Sequence, residues 1–229
     1  MCLPYAGVGA SHYRAWAALA PPGVEVCAVQ LPGREGRLRE PPYRQIGPLL
    51  EALLPALAPK LDRPFAVFGH SMGALVAFEL VRALRRAGGP APRHLFVSGH
   101  IAPQLPEPGA PVHVLSDAAF VDEIRHRYDG IPEAILRDPE YLQLFLPTMR
   151  ADLELIETYD YRPEAPLDCP LTAYGGRQDP RTSEADLDDW RVQTSGPFAL
   201  RLFPGGHFFV QSDRPALVED VTRRLAAER

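Results

Sequence analysis

The stretch FGHSMGALVAFELVRALRR, residues 68–86, changes character at one point. Its start completes a short apolar run, Phe65-Ala66-Val67-Phe68, with the look of a buried strand. From Met72 onward it reads as an apolar helix that stops at Gly88-Gly89. Between them stands Gly69-His70-Ser71-Met72-Gly73, a serine with a glycine two positions away on each side. A strand-to-helix corner this sharp forces its central residue into strained backbone angles. Side chains two before and two after would collide with the neighbouring helix and strand, so glycines fit there. The corner lifts Ser71 Oγ clear of the sheet at a helix N-terminus, where unpaired N–H groups and a partial positive charge suit an oxyanion.

The rest of the chain supplies a matching frame. Apolar runs bounded by turn residues recur at 2–5, 24–30, 65–69, 94–99, 171–174 and 198–203. They alternate little, as strands buried on both faces do. Helical patterns lie between them, at 11–20 with Ser11 as the expected cap, at 46–61 with Pro48 and Pro55 shortening or kinking it, at 72–87, and at 214–228 with Leu217, Val218, Val221 and Leu225 on one stripe. Strands alternating with helices predict an α/β fold, a mostly parallel sheet with helices on both faces, in one domain spanning 1–229. Residues 112–166 break the rhythm with helical stretches at 118–128, 133–137 and 139–159 and no strand. The last is more apolar than one helix side requires. This region reads as a helical lid inserted between two strands, its inner face lining a chamber.

Composition excludes several roles. The 229 residues are 46% hydrophobic, enough for a core, and carry a net charge of -5. A general nucleic-acid binder needs a basic footprint instead. No apolar run approaches the ~18–20 residues that span a bilayer. The start, MCLPYAGVGASHYR, lacks the basic and apolar stretches of a signal peptide. Cys2, Cys27 and Cys169 read as reduced thiols of a cytoplasmic protein. No His/Cys/Asp cluster has metal-ligand spacing, and no bound cofactor is expected.

A serine hydroxyl needs a base. Of seven histidines, His70 leaves the corner in another direction, His94 opens a strand, and His113 and His126 belong to the lid. His207 differs. It sits in Pro204-Gly205-Gly206-His207-Phe208-Phe209, after the last strand and before the last helix. Functional loops of such sheets lie at the carboxyl ends of strands, and both Ser71 and His207 do. The orienting carboxylate is expected between them in the chain. Asp179, in Gly175-Gly176-Arg177-Gln178-Asp179-Pro180, follows a strand. Asp186, Asp188 and Asp189 fall on a solvated helix, and Asp160 and Asp168 precede the strand. The oxyanion would take the amides of Met72 and of Ala6, with Gly7 the nearby alternative in the small loop Pro4–Gly9.

Taken in order, LPYAGVGASHYRAW, VQLPGREGRLREPPY, VFGHSMGALVAFEL, VSGHIAP, LTAYGGRQDPRTS, DLDDW and FPGGHFFV resemble the type II, or editing, thioesterases of polyketide and nonribosomal peptide synthesis. The resemblance covers nearly the whole chain. It implies an α/β-hydrolase fold, a helical lid, and hydrolysis of acyl groups from the phosphopantetheine arm of acyl or peptidyl carrier proteins. Ser71, Asp179 and His207 fall on the family's triad, and Ala6 and Met72 on its oxyanion positions. Two departures stand out: members usually carry more residues before the LPYAG stretch, and an arginine near His100. The alternatives left open are a small-molecule carboxylesterase or lipase, and a chain-terminating fatty-acyl thioesterase. Carrier domains being acidic, a local basic patch is expected to dock them, and Arg34, Arg37, Arg39 and Arg44 cluster in the loop after residues 24–30.

Overall fold

The computed structural model describes residues 1–128 and 138–227. Five parallel strands lie side by side in chain order: β1 (Cys2–Leu3), β2 (Val67–His70), β3 (Leu95–Ser98), β4 (Leu171–Gly176) and β5 (Phe198–Phe203). The register pairs Cys2 with Phe68, Val67 with Leu95, Leu95 with Leu171, and Leu171 with Phe198. Because every strand runs the same way, all carboxyl ends share one edge, and the loops after β1, β2, β4 and β5 meet there.

Parallel strands need crossovers, and helices α1 (Arg14–Leu19), α2 (Ile46–Leu57), α3 (Met72–Arg86), α4 (Asp117–Tyr128), α5 (Pro139–Glu157), α6 (Glu184–Asp188), α7 (Phe209–Ser212) and α8 (Arg214–Ala227) lie in them or close the chain. The central strands are buried throughout, which explains their unbroken apolar runs. Successive side chains enter different cores. Val67, Val97 and Ala173 join α2, α3 and α5 on one face. Phe68, Phe96 and Tyr174 join Tyr13, Trp16, Phe209, Leu217 and Val218 on the other.

Three expectations change in detail. Residues 24–30 form no strand, only a bridge between Ala28 and Cys2. The neighbour, β1, is two residues long, so the ladder has nothing to extend along. Ser11 caps no helix. It lies inside a 3₁₀ turn, Ala10–Tyr13, and its hydroxyl donates to Glu35. The helix expected to 61 ends at Leu57 and tightens into a 3₁₀ turn, Ala58–Lys60, after Pro55. Pro48 sits in the first turn of α2, where no N–H is required.

Between β3 and β4 lie α4 and α5 and no strand among the described residues. The helix expected at 133–137 lies outside those residues. Asp138 caps α5 by accepting from Glu140 and Tyr141 N–H. Its buried face (Leu146, Met149, Leu153, Leu155 and Ile156) enters the main core, while Tyr141 and Leu144 stay exposed. The return strap is held by charge: Arg82, Arg85 and Arg86 of α3 reach Glu164, and Tyr159 OH donates to Glu79 at 2.7 Å.

Candidate active site

Ser71 has φ 51° and ψ −121°, a left-handed conformation rare for a residue with a side chain. Hydrogen bonds pin it there: its N–H donates to Ser98 O at 2.7 Å, and its carbonyl accepts from Ala74 N at 2.9 Å. The flanking glycines are obligatory for space. A Cβ at Gly69 would lie 1.9 Å from Gly73 O, and one at Gly73 would lie 2.4 Å from Leu3 O. Strand, helix and first loop are thus packed backbone to backbone at this corner.

The loops after β4 and β5 are tied together by Gln178 N–H donating to Gly205 O at 2.9 Å. That contact carries Asp179 to His207, whose Nδ1 lies 2.8 Å from Asp179 Oδ2. Thr182 Oγ1 donates to the same oxygen at 3.0 Å, and Arg181 N–H donates to Oδ1 at 2.9 Å. Burial pushes the Asp179 carboxyl up, but the His207 hydrogen bond and charge, with the Arg181 and Thr182 donors, outweigh it and hold it below the ordinary carboxylate value. Asp179 is therefore an anion at neutral pH. All three side chains are nearly buried at the shared sheet edge: Ser71 9%, Asp179 9% and His207 6% exposed.

The competing groups are occupied elsewhere. His70 is fully buried with Nδ1 2.9 Å from Ser98 Oγ, and its ring packs 5.0 Å from that of His207. Burial, then the neighbouring His207, holds its pKa well below the ordinary value, so it stays neutral beneath the site. His94 meets Thr172, and His113 meets Glu157. Asp186 forms a capping box with Ser183, and Asp188 pairs with Arg191.

Among the described residues, the N–H groups of Ala6 and Met72 donate to no protein acceptor. The Gly7 N–H does not share that freedom, since it donates to Asp152 Oδ2 at 2.8 Å. Of the two alternatives for the first-loop donor, Ala6 is the one with an uncommitted amide.

The expected arginine cluster loses one member, while Arg37, Arg39 and Arg44 are exposed as expected. Arg34 is 5% exposed and grips Asp152 with two bonds of 2.7 Å, so it cannot dock a partner. Arg37 pairs with Glu40 and Arg44 with Glu154. Only Arg39 remains exposed with no ionic partner among the described residues. Asp152 and Thr182 escaped the sequence reading. A signal for Asp152 existed: a single carboxylate on the apolar face of α5, beside Met149, Leu153 and Ile156.

A cavity of about 680 Å³ opens at the opposite, amino edge of the sheet, lined by Met1, Cys2, Trp16, Phe65 and Phe96 among others. None of Ser71, Asp179 or His207 lines it.

The thioesterase domain family matches residues 1–225. This chain belongs to that family. The gramicidin S biosynthesis protein GrsT of Aneurinibacillus migulanus is 40% identical over 98% of this chain and 87% of its own length. Among solved structures, the thioesterase RedJ of the prodiginine biosynthetic pathway in Streptomyces coelicolor superposes with a TM-score of 0.90 at 44% identity, covering 97% of this chain and 88% of that one. The type II thioesterase BorB from the borrelidin biosynthetic cluster superposes at 0.89 with 41% identity, covering 98% and 91%. The fold is that of the α/β-hydrolases, and the thioesterase is a thioester hydrolase.

Proposed function

We propose that this thioesterase clears acyl groups from the phosphopantetheine arm of acyl or peptidyl carrier proteins in polyketide or nonribosomal peptide assembly, with Ser71 as nucleophile. The observation that carries the chemistry is the 2.8 Å bond between His207 Nδ1 and Asp179, on the same sheet edge as a serine strained onto a helix N-terminus. Similarity to proteins of gramicidin S, prodiginine and borrelidin biosynthesis supports the substrate class.

Asp179 accepts from Nδ1, so Nε2 is the nitrogen that exchanges protons at the reacting centre. It takes the Ser71 proton as Oγ attacks the thioester carbonyl. The amides of Met72 and Ala6 hold the resulting oxyanion. The C–S bond breaks, and Nε2 returns the proton to the departing thiol. Water then enters, gives a proton to Nε2 and attacks the acyl-serine, and the collapse frees the acid and restores Ser71. Asp179 fixes the tautomer and stabilises the imidazolium between the steps. The segment 112–166 acts as the lid of a single hydrolase domain. Cys2 and Cys169 are buried and Cys27 is half-buried, and no disulfide joins them among the described residues, which supports a cytoplasmic setting.

The test is mass spectrometry of acyl-loaded carrier proteins before and after exposure. The expected products are the holo-carrier and a free acid. Hydrolysis confined to oxygen esters, with the carriers left loaded, would remove the carrier assignment. Ser71→Ala should lose activity on the order of 10⁴–10⁶-fold, as a triad acting as a unit does; a variant keeping a few per cent refutes the nucleophile.

A further inference from the structure

The loop that bears Ala6 is held by the lid helix. Asp152 Oδ2 accepts from Gly7 N–H at 2.8 Å and from Arg34 Nη1 at 2.7 Å, and Oδ1 accepts from Arg34 Nη2 at 2.7 Å. Arg34 continues the clamp by donating through Nη1 to Val8 O at 3.2 Å and through Nε to Pro32 O at 3.1 Å. One turn back on the same face of α5, Met149 and then Phe145 press on Gly7: a Cβ there would lie 2.9 Å from Met149 Sδ and 2.8 Å from Phe145 Cζ. Thr148 Oγ1 also donates to Gly33 O, next to Arg34. The carboxylate and the guanidinium are both buried, so this is a fixed joint and not a surface contact.

We propose that Asp152 is a positioning residue for the oxyanion hole: by taking the Gly7 N–H and the Arg34 fork it sets the peptide next to Ala6, so that the Ala6 N–H points to the oxyanion while α5 lies closed over the loop. Successive amides of a tight loop can both turn towards one anion, so the choice between them has to be fixed from outside the loop. Anchoring the second on a buried carboxylate settles which one serves. Donor geometry thereby becomes tied to the place of the lid helix: if α5 lifts, Gly7 loses its acceptor and the hole loses its shape.

The assignment rests on the oxyanion reading above, and the controls separate the two. The full-length enzyme is compared with Asp152→Ala, Asp152→Asn and Ser71→Ala. The readouts are hydrolysis of a short acyl-N-acetylcysteamine thioester, end-point fluorophosphonate titration of reactive serine, and inhibition by a trifluoromethyl ketone, whose adduct on Ser71 is a tetrahedral oxyanion. Asp152→Ala should lower kcat per titrated site about 100-fold, the loss typical of one oxyanion donor. Its KM should move less than about three-fold, because the donor acts in the transition state. Affinity for the ketone should fall in parallel. Asp152→Asn keeps an oxygen able to accept from Gly7 and should lose only about ten-fold, within the range for a misplaced donor. A purely structural Asp152 would lower the melting temperature and the titrated fraction, yet leave kcat per site and ketone affinity unchanged; that result overturns the proposal. Should neither variant fold, amide exchange in the parent enzyme decides: the Gly7 proton is expected to exchange more slowly than that of Ala6, and equal rates overturn the assignment. Ser71→Ala retaining turnover would instead fault the catalytic site itself.

Discussion

Asp179 and Asp186 both follow β4, yet the structure gives them different work. Asp179 accepts from His207, Thr182 and the Arg181 amide, whereas Asp186 closes a capping box with Ser183. Asp179→Asn should fold and lose about 10⁴-fold in kcat, since an amide favours the wrong imidazole tautomer. Asp186→Asn should leave kcat intact and cost about 1 kcal/mol of stability, the usual worth of a helix cap. Kinetics and melting of the two variants check this; a larger kinetic loss at Asp186 would displace Asp179 from its role. The pairing of Asp179 with His207 was legible in the sequence because each lies in a short Gly-rich loop after a strand, a context set by near neighbours. Arg34 was not legible. Its neighbours Arg37, Arg39 and Arg44 read as one basic patch with it, and its burial is decided by Asp152, a carboxylate far along the chain.

At the scale of elements, the corner between β2 and α3 tolerates no added atom. Gly69→Ala would place a methyl group 1.9 Å from a backbone oxygen that has no flexible side chain to yield. The variant should be insoluble, or folded with a displaced Ser71 and little turnover, whereas Gly36→Ala, with open space at the Cβ, should match the parent. Soluble yield and activity measured side by side would decide, and an active, stable Gly69→Ala would mean that strand and helix stand further apart than described. The five strands and the principal helices were readable because their apolar patterns are long and their stops are glycines or prolines. Residues 24–30 look equally apolar but form only the Ala28 bridge. Strand formation needs a partner with free edge groups, and the local sequence does not reveal how long that partner is.

Across the whole molecule, charge joins the last strand and last helix to the sheet. Asp220 is buried beneath β4 and β5, where Tyr174 OH and Arg224 Nε each donate to it at 2.8 Å and Arg201 and Arg223 also reach it. Burial pushes its carboxyl up, but these donors prevail and bring it down to about 2 from an ordinary 3.8. A carboxyl lowered on folding adds stability that is fully present above its unfolded value, and that stability fades as pH falls towards the folded one. Melting temperature should therefore drop between about pH 4 and pH 2, and Asp220→Asn should start lower at neutral pH and flatten that acid limb. Superimposable acid limbs in parent and variant would contradict the assignment. The layout of the sheet also governs when activity can appear. During synthesis the serine emerges long before its partners. The segments that pack at the Ser71 corner, β1, β2, α3 and β3, come early in the chain, whereas Asp179 comes only with the loop after β4 and His207 only after β5. On the proposed assignment, a chain stopped ahead of β5 lacks His207 and should be inert towards thioesters, however firmly Ser71 is held.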